Sequence, residues 1–161
     1  MLNMGCYITT MTCSSDDSKQ GATVSIIRDH RGAFKATQAI WYDKGLNTCS
    51  MEVMACINGA KFVAQLVIQR VAIETDCLQV VQLWNKVETD RSIIDPILWE
   101  IDELRLAFQE FYLSFVSRNC NKVAHSLAKE VSGSHRSETW HETPTCMYDL
   151  IMFEALATLL R

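Results

Sequence analysis

The chain has 161 residues, 48% apolar and 21% charged, with a formal net charge of −4 and a pI near 5.5. That length suffices for one domain with a real core, and the composition is that of a globular rather than a disordered chain. The acidic balance excludes a whole-surface electrostatic grip on nucleic acid. Arg105, Arg118, Lys122 and Lys129 leave room for a local basic patch, or for an ordinary solvated face.

No apolar run approaches the roughly 20 residues of a membrane span. The opening "MLNMGCYITT" lacks the basic and apolar regions of a secretory signal. The chain is therefore expected to be intracellular, in nucleus or cytoplasm, with no membrane partner. Its seven cysteines are odd in number, scattered and without a CxxC pair. They read as reduced, mostly buried small hydrophobes rather than a disulfide set or a zinc site.

In chain order, "LNMGCYITTM" reads as a first strand starting almost at residue 1, and Cys13 to Gly21 as a polar turn. "ATVSIIRD" and "AFKATQAIWY" read as second and third strands joined by "HRG". "DKGLNTCS" is loop, and "MEVMACINGAKFVAQLV" is too long for a strand and reads as helix, with Ser50 as its N-cap. "QRVAIETD" is a fourth strand and "CLQVVQLWNK" a short helix. "IIDPILWEIDELRLAFQEF" carries apolar residues near a 3.6-residue period, with Pro96 tolerated in its first turn. "YLSFVSR" is a fifth strand and "NKVAHSLAKEV" a helix. Ser132 to Thr145 is loop, and "CMYDLIMFEALATLL" closes as a helix or an apolar tail.

Helices between strands make right-handed crossovers and parallel pairs. The expected fold class is α/β: a mixed five-stranded sheet, three antiparallel strands then two parallel, with helices on both faces. Residues 1–131 form the domain, with 132–161 as a C-terminal loop and helix packed on it or trailing from it.

In open α/β sheets, ligands gather at the carboxyl ends of parallel strands. Asp76 is placed there, and Glu52 opens the long helix over the same sheet. Two close carboxylates resist joint ionisation unless a cation neutralises them, which a divalent metal does well. Spacing alone favours plainer roles. Glu52 can complement a helix dipole, and Asp76 can cap the helix beginning at Cys77.

A lone histidine such as His125, flanked by Ala124, Leu127 and Ala128, is more often packed than ligating. His30 is most simply a turn residue, and His135 and His141 show no partner. Cys77 and Cys120 have no evident activating base. Neither a P-loop nor a GxGxxG run is present.

Four blocks carry more than spacing: "IIRDHRGAF", "MEVMACINGAKFVAQL", "VAIETDCLQVVQLW" and "FVSRNCNKVAHSLAKEV". In order and spacing, residues 21–131 resemble the ribonuclease H-like domain of plant proteins related to retrotransposon reverse transcriptases. The tail "TWHETPT" resembles that family's usual ending.

The resemblance implies the ribonuclease H fold and cleavage of the RNA strand of an RNA–DNA hybrid by two Mg2+ (or Mn2+) ions. It implies Glu52 and Asp76 as catalytic metal ligands, with His125 in the place of a fourth carboxylate. Arg118, Asn121 and Lys122 are implied to meet backbone phosphates. The family's first-strand "N-x-D-G" aspartate is missing, since "LNMGCYI" carries no Asp after Met4. Either Gly5 replaces it or a residue has been lost. Without it, metal affinity and several kcal/mol of transition-state stabilisation are expected to go. Turnover would then be weak or lost, and the alternative is a non-catalytic nucleic-acid-binding or protein-interaction module of retroelement descent. The abrupt start at the first strand is what a chain cut from a longer protein would show. Oligomeric state is left open.

Overall fold

The structure, a computed structural model, describes residues 5–14, 20–44, 47–89, 96–117, 122–143 and 148. Six strands and four helices are described. The strands are β1 (Cys6–Ser14), β2 (Gly21–Asp29), β3 (Phe34–Tyr42), β4 (Arg70–Thr75), β5 (Glu110–Phe115) and β6 (Glu138–Trp140). The helices are α1 (Thr48–Gln65), α2 (Leu78–Thr89), α3 (Pro96–Leu104) and α4 (Lys122–Ser134). The strands form one sheet in the order β5-β4-β1-β2-β3-β6. β1, β2 and β3 pair antiparallel, and β4 runs parallel to both β1 and β5.

Period-2 alternation assigns the two faces of the sheet. On one face Ile8, Ile27, Val71, Ile73 and Leu113 pack under α1, α2 and α3, with Trp84 fully buried among them. On the other face Ala22, Val24, Ile26 and Ala39 pack under Leu127, Ala128 and Val131 of α4. No described helix is long and apolar enough to cross a membrane.

The mixed sheet with helices on both faces matches the sequence expectation, with local differences. The chain stretch expected to be loop after α4 contains β6, whose residues Glu138 to Trp140 pair with Ala39 to Thr37 of β3. A three-residue edge strand is too short to leave an alternation signal. The first strand begins at Cys6, and the four blocks named above fall on the elements expected of them.

The apolar period running through "ELRLAFQEF" does not continue α3. A 3-10 turn takes Arg105–Ala107, and Phe108 is already extended. The burial of Phe108 and Leu113 in the core is strand and turn packing that mimics a helical stripe. The final segment expected to be a helix or tail lies outside the described residues, apart from Tyr148.

Helix α1 begins three residues earlier than its apolar pattern. Asn47, not Ser50, is the N-cap, its Oδ1 accepting from the Ser50 N–H at 2.9 Å. An asparagine side chain satisfies one of the orphan N–H groups of the first turn, so the polar "TCS" can be helical.

The helix ends sooner than expected. The Val67 N–H donates to the Ala64 carbonyl at 3.1 Å and the Ile68 N–H to the Val63 carbonyl at 3.4 Å. This is a Schellman closure, which needs a left-handed residue and normally takes glycine. Here Val67 holds φ 59°, with its side chain 77% exposed. A β-branched residue is strained there by about 1–2 kcal/mol, with no buried contact in return. Val67→Gly should therefore stabilise the chain by about 1 kcal/mol in urea unfolding, less what the extra freedom of glycine in the unfolded chain removes. A lower midpoint would show that the strain is absent.

Candidate functional site

A helix that feeds a strand runs antiparallel to it, so the first turns of α1 lie over the carboxyl end of β4. There α1 presents Glu52, Cys56 and Gly59 to the sheet at helical spacing. The Glu52 side chain is 5% exposed, and its Oε1 accepts from the Thr12 hydroxyl at 2.6 Å. Its second oxygen, Oε2, is also buried.

One turn on, Cys56 Sγ lies 3.7 Å from Thr10 Oγ1. Thr10 also donates to the Glu74 carbonyl at 3.3 Å, which leaves its oxygen to accept from the thiol. At Gly59 the helix comes so close that a Cβ would sit 3.2 Å from Ile8 Cγ2 and from Ser25 Oγ.

Asp76 is the first residue past β4. Thr75, the last residue of that strand, pairs with Thr10 of β1, is fully buried and hydrogen-bonds Cys56. The Thr75 hydroxyl accepts from the Cys77 N–H at 3.2 Å, so this threonine turns the chain into α2. Glu52 on α1 and Asp76 after β4 therefore both lie at the end of the sheet where the Cys56 thiol is buried.

His125 and Lys122 fall in α4, which packs over β1, β2 and β3 on the opposite face. The placement of their side chains is not described. Arg118 and Asn121 lie outside the described residues. Asp16 and Asp17 do as well.

The place of the first carboxylate needs correcting. Gly5 lies before β1, where a Cβ would sit 3.3 Å from the carbonyl oxygen of Arg70. Arg70 opens β4 and Asp76 follows its end, a separation of about 20 Å along a strand. Gly5 is thus at the wrong end of the sheet to complete the site. The last pair of β1 with β4 is Thr10–Thr75, so Met11 follows in the one segment as Asp76 does in the other. The "N-M-G" stretch resembles the family motif in letters, but its Gly5 lies against Arg70, at the other end of the sheet from Asp76.

Sequence reasoning also missed Thr10, Thr12 and Cys56. Thr10 and Thr12 share a face by alternation, and Cys56 stands at i+4 from Glu52, so both signals were in the chain. His135 has a partner after all: it stacks on Trp41 with ring centroids 4.9 Å apart and planes 16° apart. His30 is in the β2–β3 turn, as expected.

Burial pushes the Cys56 thiol up to about 12, with the Glu52 charge adding to the shift and the Thr10 bond opposing it. The thiol is therefore a neutral structural group and no nucleophile. Because the folded state holds this proton more tightly, its contribution is complete below the ordinary value of 9.0 and is lost as pH rises toward about 12. Cys56→Ala should remove that part of the alkaline destabilisation. Across this window the native chain should lose up to about 1.4 kcal/mol more per pH unit than the variant in guanidinium unfolding. Equal slopes would mean the thiol ionises freely in the fold.

The chain resembles solved structures of ribonucleases H at low identity. The RNase H1 of the halophilic archaeon Halobacterium salinarum NRC-1 matches with a TM-score of 0.71 at 18% identity, over 81% of this chain and 98% of that one. The N-terminal RNase H domain of a Mycobacterium tuberculosis protein matches with 0.68 at 15%, over 81% and 95%. LC11-RNase H1, from compost, solved in complex with an RNA/DNA hybrid, matches with 0.70 at 14%, over 81% and 98%. No curated protein sequence matches. The profile of the family described as Reverse transcriptase-like covers residues 9–131, more than half of the chain. With the sheet order and the shared end of α1, β1 and β4 in place, the chain belongs to this reverse transcriptase-like family and has a ribonuclease H-like fold.

Proposed function

We propose that the chain is a nucleic-acid-binding ribonuclease H-like domain, descended from a plant retroelement, whose cleavage of RNA–DNA hybrids is weak or lost. The observation that supports this reading is that β1, Cys6–Ser14, carries no carboxylate along its length, including beside its last pair with β4, Thr10–Thr75. The family and the fold support a hybrid as the partner, as in the LC11 complex. Residues 1–131 are the proposed domain, with 132–161 as a C-terminal loop and helix packed on it or trailing from it. Such a role implies nucleus or cytoplasm.

In a working site of this kind, Mg2+ or Mn2+ would activate water and stabilise a leaving oxygen. Glu52 and Asp76 would hold it, with His125 assisting. The described residues do not fit a two-ion centre. Among them no group of three His, Cys, Asp or Glu could hold an ion, and Glu52 Oε1 is already bonded to Thr12. No catalytic step through a metal follows from this arrangement.

What the chain's own residues still offer is a grip. Arg118, Asn121 and Lys122, at the entry to α4, are the proposed phosphate contacts. Charge-assisted bonds to phosphate position a duplex without reading its sequence. The non-catalytic reading is favoured for turnover, and the enzyme reading for descent.

Hybrid cleavage with Mg2+ or Mn2+ should run about 100-fold or more below that of an intact ribonuclease H, the usual cost of one missing electrostatic group. Met11→Asp should raise metal binding in calorimetry and cleavage with it, whereas Gly5→Asp should change neither. Full native turnover, abolished by Asp76→Asn, would sink this reading.

A further inference from the structure

At the amino end of the parallel strands, away from Asp76, the sheet face opposite α1 carries an aromatic slot. β-Sheet register aligns Arg28, Tyr7, Ala72 and Tyr112 in one row across β2, β1, β4 and β5. Alternation puts these side chains on the face away from the core, since Ile8, Val71, Ile73 and Leu113 occupy the other. α4 covers β1, β2 and β3 on this face, and no described helix packs over β4 and β5 there.

Tyr7 and Tyr112 are 45% and 60% exposed, and neither stacks on another ring among the described residues. Together with Ala72 they line a cavity of about 380 Å³ that also touches His30, Arg70 and Glu110.

The dimensions select an occupant. Tyr7 and Tyr112 stand two strand spacings apart, about 9.6 Å, over the smallest side chain that still has a Cβ. A third ring midway lies about 4.8 Å from each, inside the range of stacked aromatic pairs. An aliphatic helix, about 10 Å wide with its side chains, does not enter such a slot.

The edge of the slot is polar. Arg70 Nη2 donates to Glu110 Oε1 and Oε2 at 2.7 and 2.8 Å, one residue pair below the Ala72–Tyr112 pair on the same face. A ring with both donors and acceptors on its rim complements a guanidinium set beside a carboxylate. Those properties, planar, aromatic and edge-polar, are those of a nucleobase, and exposed aromatics on a sheet face are a general means of stacking unpaired bases.

We infer that this slot holds one unpaired nucleobase of a single strand, between Tyr7 and Tyr112 above Ala72. The inference draws its ligand class from the nucleic-acid reading above but uses none of the residues of the acidic end. A base in a duplex cannot enter, so the slot takes a single-stranded overhang or loop and adds a second contact to the same molecule.

The test is fluorescence titration of the full chain with a single-stranded oligonucleotide carrying 2-aminopurine. Stacking should quench the probe. Tyr7→Ala and Tyr112→Ala should each weaken binding about tenfold, a typical loss for one stacked base. Tyr112→Phe should retain binding, and Ala72→Leu should abolish the quench by filling the slot. All three side chains are on the outer face, and circular dichroism checks that each of the four variants folds. An abasic strand of equal length should bind at least tenfold more weakly.

No quench, equal binding of the abasic strand, or indifference to Ala72→Leu would each overturn the slot. A blunt RNA–DNA hybrid titrated in parallel separates the two readings. Hybrid binding without single-strand binding removes the slot alone. Slot-dependent single-strand binding without hybrid binding removes the duplex function alone.

Discussion

The parallel pairing of β1 with β4 is the constraint on which the rest of the structure depends. Thr10 beside Thr75 brings the carboxyl ends of both strands level, and the right-handed crossover returns α1 antiparallel above them. The helix can settle there because Gly59 admits Ile8, Thr10 and Ser25 at van der Waals contact. Glu52, seven residues nearer the helix start, then hangs over Thr12, while Asp76 leaves the sheet next to the buried Thr75. A slip of one residue in β1 would turn Ile8 and Thr10 to the other face and separate all these groups.

This geometry explains how the fold persists with an incomplete acidic end. A buried carboxylate is costly unless bonded, and the 2.6 Å bond from Thr12 meets part of that cost for Glu52. Where three carboxylates converge, mutual repulsion makes the apo site unstable and a cation necessary. β1, Cys6–Ser14, carries no carboxylate and adds none to that repulsion. Glu52 can then serve as a tie between α1 and β1, and the neutral Cys56 thiol fills the space beneath it. Twenty-nine buried apolar residues among those described hold the fold, so the sheet does not depend on the carboxylates of that end.

Legibility in the sequence followed the strength of the local signal. β2 and β3 were readable because each is a full apolar strand ending at a polar turn, and Asp29 closes that turn by accepting from Arg31 N and Ala33 N. α1 was readable from its length. Its ends were not, because Asn47 caps through a side chain outside the apolar stripe and Val67 adopts a conformation that its residue type does not announce. β6 was invisible because its three residues are specified by an edge of β3 about 100 positions away. The places of Glu52 on α1 and of Asp76 after β4 were legible through the order of the blocks. Met11 was not, because register between parallel strands is a property of two distant segments, and no reading of "LNMGCYITTM" by itself contains it.

The two ends of the sheet now divide according to charge and shape. The carboxyl end holds acidic residues and fully buried threonines, and it presents a polar rim to whatever approaches. At the amino end the sheet face is aromatic and open, with a bidentate Arg70–Glu110 pair stiffening the strands beneath it. An exposed pair of tyrosines on a sheet face that no described helix covers is an association hazard for an isolated domain, and burying them against a partner is favourable by their area alone. Narrow spacing over Ala72 limits that partner to something thin and flat. A nucleic acid that lies along this face can therefore be held by shape and stacking where the acidic end repels it. The slot proposed there would let a chain of net negative charge hold a polyanion without a basic surface.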